Sequence, residues 1–257
     1  MAKRKETAKI YRQEPLARDI FSMTIETTLA KEAHAGQFLG VYTGDASRLL
    51  ARPISVCDAD PARGLLRMVY RISGGGTREL SAYRKGETLE VLGVLGNGYD
   101  IRVTEGKKTV VIGGGIGIPP MLLAAKSIPG EKEIVLGYAD EQTFLKEEFE
   151  KEANVHIATM DGSVGTKGTV IDAMNAACLN GDVIFACGPM PMLRAVKQYA
   201  AAHNMEAYLS LEERMACGVG ACLGCVCRTV KKDGHTHVNN ARICTEGPVF
   251  DAREVEI

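Results

Sequence analysis

The sequence predicts an N-terminal antiparallel β-barrel over residues 1–104, a parallel-sheet α/β domain over 105–205 and a small cysteine-rich subdomain over 206–257. Three observations carry this division. Short, turn-punctuated strands fill residues 7–95, strands alternate with helices from Gly106 onward, and five of the eight cysteines crowd between Cys217 and Cys244.

In the first stretch, Lys9–Tyr11, Ile20–Ile25, Phe38–Tyr42, Ile54–Val56 and Leu65–Tyr70 partly alternate apolar and polar residues. Regular short strands with turn residues between them suit a small barrel. One helix-compatible piece, Thr77–Tyr83, interrupts them. The second stretch reads as strands at Lys108–Ile112, Glu133–Tyr138, Val155–Thr159 and Asp182–Ala186. Helices are expected up to about Ser127, over Gln142–Glu152, near Val170–Cys178 and near Pro191–His203. Such alternation predicts parallel strands joined by crossovers.

Charge and hydropathy narrow the function. A net charge of −1 gives no basic field for nucleic acid or for an anionic membrane surface. The longest apolar stretch, Val110–Ala125, is broken by four glycines and two prolines, which excludes a membrane span. The basic start, Met1–Glu6, is followed by no apolar run, so a cytoplasmic protein without a secretory signal is expected.

In that compartment crowded cysteines point to metal rather than to disulfides. Cys217, Cys222 and Cys225, followed by Cys244, give C-x4-C-x2-C…C, the spacing of plant-type [2Fe–2S] loops. Three thiolates must converge from one tight loop, and Gly218, Gly220 and Gly224 remove side chains that would obstruct its turns. Amides in such a loop can point at sulfur. The alternative is structural zinc, which usually takes paired C-x2-C hooks, and only one is present. Cys227 is either packing or a competing ligand.

Arg52-Pro53-Ile54-Ser55 lies on a predicted barrel strand. Its arginine offers a planar fork to a phosphate, and its serine offers a hydroxyl to a flavin nitrogen. Ser73-Gly74-Gly75-Gly76-Thr77 then opens a helix with bare amides and a hydroxyl, an anion site. Alone, an Arg–Pro pair is often an edge feature and a glycine run is often just a loop. Their order, ahead of a dinucleotide domain, favours a flavin.

Gly113-Gly114-Gly115-Ile116-Gly117-Ile118-Pro119-Pro120 follows a strand and opens a helix, the context that a pyrophosphate-binding turn requires. The pattern is Gly115-x-Gly117-x-x-Pro120, and proline suits a first helical turn. Asp140, after the second strand, either receives ribose hydroxyls, which favours NAD, or caps the next helix. Ala186-Cys187-Gly188-Pro189 ends the last strong strand, where ligands of parallel sheets bind. Cys187 is a nicotinamide neighbour or a buried structural thiol.

Together these segments resemble the ferredoxin–NADP reductase superfamily and, within it, the electron-transfer subunits of B-type dihydroorotate dehydrogenases. The likeness spans essentially the whole chain, and the cysteine loop is what narrows it. It implies FAD contacts at Arg52, Pro53, Ile54, Ser55, Val69, Tyr70, Arg71, Gly76 and Thr77, and cluster ligands at Cys217, Cys222, Cys225 and Cys244. Many superfamily members stack a tyrosine on the flavin where Ile54 stands here, and Cys227 lies outside the family pattern.

The resemblance further implies electron relay in pyrimidine (UMP) synthesis. An FMN-containing catalytic subunit would oxidise dihydroorotate, and electrons would pass through the cluster and FAD to NAD⁺, in a heterotetramer of two of each chain. Met215, Val219 and Leu223, beside the loop, either meet that partner or pack beneath the loop. Two other readings stand: a diaphorase subunit of a ferredoxin oxidoreductase, hydrogenase or sulfite reductase complex, and a zinc-bound structural adaptor.

Overall fold

The structure is a computed structural model and describes residues 3–232 and 237–257. The first two residues of the expected barrel domain lie outside these.

The barrel runs β1 (Arg4–Ala17), β2 (Ile20–Glu26), β3 (Phe38–Val41), β4 (Arg52–Asp60) and β5 (Leu65–Arg71), then α1 (Gly75–Ala82) and β6 (Thr88–Leu95). The strands close in the order β1-β2-β5-β4-β3-β6, all antiparallel. Alternation drives the closure: in β6, Leu89, Val91 and Leu95 are buried while Thr88 and Glu90 face water. Ala8, Ile10, Met23, Ile25, Leu39, Val56 and Leu66 complete a core that no water reaches.

The α/β domain runs β7 (Thr109–Gly114), α2 (Ile118–Ser127), β8 (Lys132–Tyr138), α3 (Lys146–Phe149), β9 (Asn154–Thr159), β10 (Thr166–Lys167), α4 (Val170–Ala176), β11 (Val183–Cys187), α5 (Met190–Ala202) and β12 (Glu206–Ser210). The sheet order is β10-β9-β8-β7-β11-β12-β15, where β15 is Val249–Asp251. Every pairing is parallel except β12 with β15. By hydrogen bonding the sheet therefore extends past residue 205, and the end of the chain returns to its edge.

The helix expected over Gln142–Glu152 shrinks to the single turn α3. Leu145 sits left-handed at φ +66° and buries its side chain, so the preceding residues fold as tight turns instead. In them Thr143 N–H reaches Glu141 O and Phe144 N–H reaches Gln142 O.

Between Ser210 and β15 lies the cysteine-rich segment, with a small sheet of β13 (Val226–Arg228) and β14 (Asn240–Arg242). Cys225, Ile243 and Cys244 are buried in the same core as Phe38 and Leu95 of the barrel and Ile184 of the sheet. Barrel and sheet are joined directly as well. Tyr99 stacks on Phe185 with centroids 4.5 Å apart, and Arg67–Glu148 and Lys126–Asp58 form ion pairs at 2.6 Å.

Candidate functional site

Arg52 opens β4 and reaches the start of α1. A β-carbon added to Gly76 would lie 2.1 Å from Arg52 Nε, so only glycine lets the guanidinium rest on the backbone there. Arg48 lies over the preceding residue: a β-carbon on Gly75 would be 2.7 Å from both of its terminal nitrogens. Two guanidiniums thus meet a helix N-terminus, a donor set that matches a diphosphate. Asp45 and Glu79 hold Arg48 at 3.1 and 3.3 Å. Sequence reasoning missed Arg48, which belongs to no motif; its only signal is a second arginine just ahead of Arg52.

Thr77 steadies this corner, its Oγ1 accepting from Ser73 N–H at 2.9 Å and Gly74 N–H at 3.2 Å. Tyr70 is buried, and its hydroxyl accepts from Gln13 Nε2 at 2.9 Å. Burial pushes the Tyr70 phenol up to about 12, so it remains protonated at neutral pH. Ile54 and Val69 are buried, Ser55 is half-buried opposite Phe38, and Pro53 is exposed.

The glycine turn after β7 packs on the turn after β11. A β-carbon on Gly117 would stand 2.4 Å from Cys187 O and 2.6 Å from Gly188 Cα. Gly115 is left-handed at φ +53°, and a β-carbon there would lie 3.7 Å from an Arg71 nitrogen, so the end of β5 reaches this turn. Pro119 and Pro120 occupy the first turn of α2, where a missing N–H costs nothing. Gly188 and Pro189 lead into α5, whose Met192 lies against Gly114 and Gly188.

Asp140 accepts from Gln142 N–H at 3.0 Å. The next helix starts at Lys146 with Leu145 as its cap residue, so Asp140 does not cap it. Cys187 closes β11 opposite Gly113. Burial pushes its thiol up to about 12, outweighing the opposite influence of Ser210, so it is no thiolate at neutral pH.

In the cysteine loop Gly218 and Gly220 adopt φ of +67° and +86°, and Leu223 is also left-handed at +55°. These turns aim amides at sulfur: Val219 N–H to Cys217 Sγ and Gly224 N–H to Cys222 Sγ, both 3.4 Å. The Val219 amide is the main reason that the Cys217 thiol drops to about 6. Burial raises Cys244 to about 11.

The thiols interact mainly two and two, Cys217 with Cys222 and Cys225 with Cys244. Among the described residues no three His, Cys, Asp or Glu side chains meet around one point. Two thiol pairs fit a two-iron cluster, which takes two thiolates per iron, better than one tetrahedral ion. The small sheet arranges the second pair, since Ile243 N–H bonds Cys225 O at 2.8 Å and brings Cys244 alongside. Cys227, on β13, packs against the core.

Loop and barrel meet in a narrow cleft, with Gly40, Ala51 and Pro53 on one wall and Met215, Cys217 and Gly218 on the other. Met215 packs inward, whereas Val219 and Leu223 are 39% and 63% exposed.

Known proteins resemble this chain. Residues 212–256 match the iron-sulfur cluster binding domain of dihydroorotate dehydrogenase B. A Geobacillus sp. (strain WCH70) protein, "Dihydroorotate dehydrogenase B (NAD(+)), electron transfer subunit", is 41% identical over 98% of both chains. The Shouchella clausii protein of the same name is 40% identical over 99% of both. Among solved structures, one described as an NADH-dependent reduced ferredoxin-NADP oxidoreductase superposes with a TM-score of 0.85. It is 28% identical, covering 97% of this chain and 89% of that one. A ferredoxin reductase of carbazole 1,9a-dioxygenase shares the fold at a TM-score of 0.68, 18% identity and coverage of 80% and 67%. With identity of this order along nearly its whole length, the chain belongs to the family of dihydroorotate dehydrogenase B (NAD⁺) electron transfer subunits.

Proposed function

We propose that this chain relays electrons from a dihydroorotate-oxidising, FMN-containing partner through a [2Fe–2S] cluster and FAD to NAD⁺, in the pyrimidine pathway. The observation that carries the reading is the cleft in which the Cys217 loop lies against the Pro53 strand. It supports a cluster site beside a flavin site, and the approach of Arg71 to the Gly115 turn supports a flavin site beside the dinucleotide turn. FAD, when bound, supplies the conversion between the one-electron traffic of the cluster and the two-electron reduction of NAD⁺.

The residues of the chain bind and orient. Arg52, Gly76 and Thr77, with Arg48, take the FAD diphosphate; Pro53, Ile54, Ser55, Val69, Tyr70 and Arg71 line the rest of its site. Gly115, Gly117 and Pro120 take the NAD pyrophosphate, Asp140 the adenosine ribose, and Cys187, Gly188 and Pro189 the nicotinamide end. Cys187 is protonated there and offers no charge to the ring. Cys217, Cys222, Cys225 and Cys244 hold the cluster. No acid–base pair is needed.

For the chain we propose the units 1–104, 105–205 and 206–257 by cofactor, with Glu206–Ser210 lending a strand to the central sheet. Val219 and Leu223 form the docking face, two of each subunit assemble, and the complex is cytoplasmic. Among the described residues no helix is long and apolar enough to cross a membrane. The test is to mix the chain with the FMN subunit and follow NAD⁺ reduction by dihydroorotate. NADH should reduce a dye with this chain alone, whereas dihydroorotate should be oxidised only by the mixture. Failure with a cluster-loaded, well-folded mixture would favour a ferredoxin or hydrogenase complex instead.

A further inference from the structure

We infer that the Thr245 hydroxyl donates a hydrogen bond to sulfur of the cluster site and thereby raises the reduction potential of the cluster. This rests on the cluster reading above. Thr245 directly follows Cys244, and its N–H is tied back to Arg242 O at 3.1 Å, so its side chain is held in one place. Both of its γ atoms pack on Gly220. A β-carbon there would lie 2.9 Å from Thr245 Cγ2 and 3.3 Å from Oγ1. Gly220, at φ +86°, sits in the tight loop between Cys217 and Cys222. The hydroxyl therefore borders the loop that carries Cys217 and Cys222, one residue after Cys244.

Thr245 Oγ1 is buried and has no hydrogen-bond partner among the described residues. Leaving a buried hydroxyl unpaired is unfavourable, so the loaded protein should satisfy it. Cluster sulfur is the acceptor that the fold brings to this corner. Adding an electron increases the negative charge on the sulfurs, so a donor there stabilises the reduced form more than the oxidised one. The competing acceptor is a water in the cavity of about 240 Å³ that Thr245 lines together with Glu32, His34 and Gln37.

The experiment is a redox titration of the cluster in the full, iron- and FAD-loaded chain, read by the electron paramagnetic resonance signal of the reduced cluster. Thr245→Val keeps the shape and removes the donor. It should keep its iron and show about tenfold less reduced cluster at a fixed solution potential, about 59 mV for one electron. Thr245→Ser should restore the original value, and Thr245→Ala should behave like the valine variant. Full iron and an unchanged potential in the valine and alanine variants would give the hydroxyl to the cavity water and overturn the inference. Loss of the cluster from both, with retention in the serine variant, would make Thr245 a residue that folds the loop and overturn it equally. Absence of iron from the unaltered protein would sink the functional reading, and this inference with it.

Discussion

The carbonyl oxygen of Cys187 stands 2.4 Å from the point where a β-carbon on Gly117 would lie. The turn after β7 and the turn after β11 thus touch backbone to backbone, and neither can yield without moving β11 or α2. Gly117→Ala should cost about 1–3 kcal/mol through this overlap. It should also weaken NADH binding tenfold or more while iron and FAD stay at their original levels. A fluorescence titration with NADH and a thermal melt check it; an unchanged NADH affinity would remove Gly117 from the dinucleotide turn.

Arg52 and Arg48 should both hold FAD. A hydrogen bond to a charged group contributes about 1.5–3 kcal/mol, so either alanine variant should bind FAD roughly ten- to a hundredfold more weakly. Flavin retention on gel filtration reads this. Normal retention in Arg48→Ala would leave that arginine as a partner of Asp45 and Glu79 alone.

Serine at Cys217, Cys222, Cys225 or Cys244 should remove the cluster or lower its occupancy, whereas Cys227→Ser should leave it in place. Iron analysis and the visible spectrum decide. A Cys227 variant without iron beside a Cys225 variant with full iron would reverse the ligand assignment.

Two thiols, the buried Cys57 and the half-buried Cys187, should make the protein less stable in alkali. Burial pushes Cys57 and Cys187 up to about 12 from an ordinary value of 9.0. The folded chain therefore binds more protons than the unfolded chain between those pH values, and stability falls as pH rises through that window. The denaturation midpoint should drop between pH 9 and 11, and less steeply in Cys57→Ala. A flat profile would mean that the two thiols titrate normally in the fold.

Asp140 should set the nucleotide preference. An acidic side chain at the ribose repels a 2′-phosphate, so NADH should be favoured over NADPH, and Asp140→Ser should narrow the gap. Dye reduction with each nucleotide measures kcat/KM. Equal values for the unaltered protein would take Asp140 away from the ribose.

Much of this was legible in the residue pattern. Barrel strands announce themselves by alternation, as in Leu89, Val91 and Leu95, and the glycine turn by its place between a strand and a helix. What stayed hidden depends on contacts between distant segments. The return of Val249–Asp251 to Glu206–Ser210 is a long-range pairing with no local signal. Leu145 breaks its helix because its side chain has a buried place to fill, a tertiary effect that outweighs propensity. Arg48 comes to the start of α1 only once Gly75 is folded beneath it.

Cys244 is followed at once by the turn that leads into Val249–Asp251, the last strand of the large sheet. If Cys244 holds iron, its place so close to a sheet edge would couple maturation to integrity. A chain still waiting for iron would hold its final strand loosely and open there more often than elsewhere. Proteases sample such openings, and limited digestion with and without iron would reveal the difference at this edge. The supply of iron would then be read out as the lifetime of the polypeptide as well as its activity.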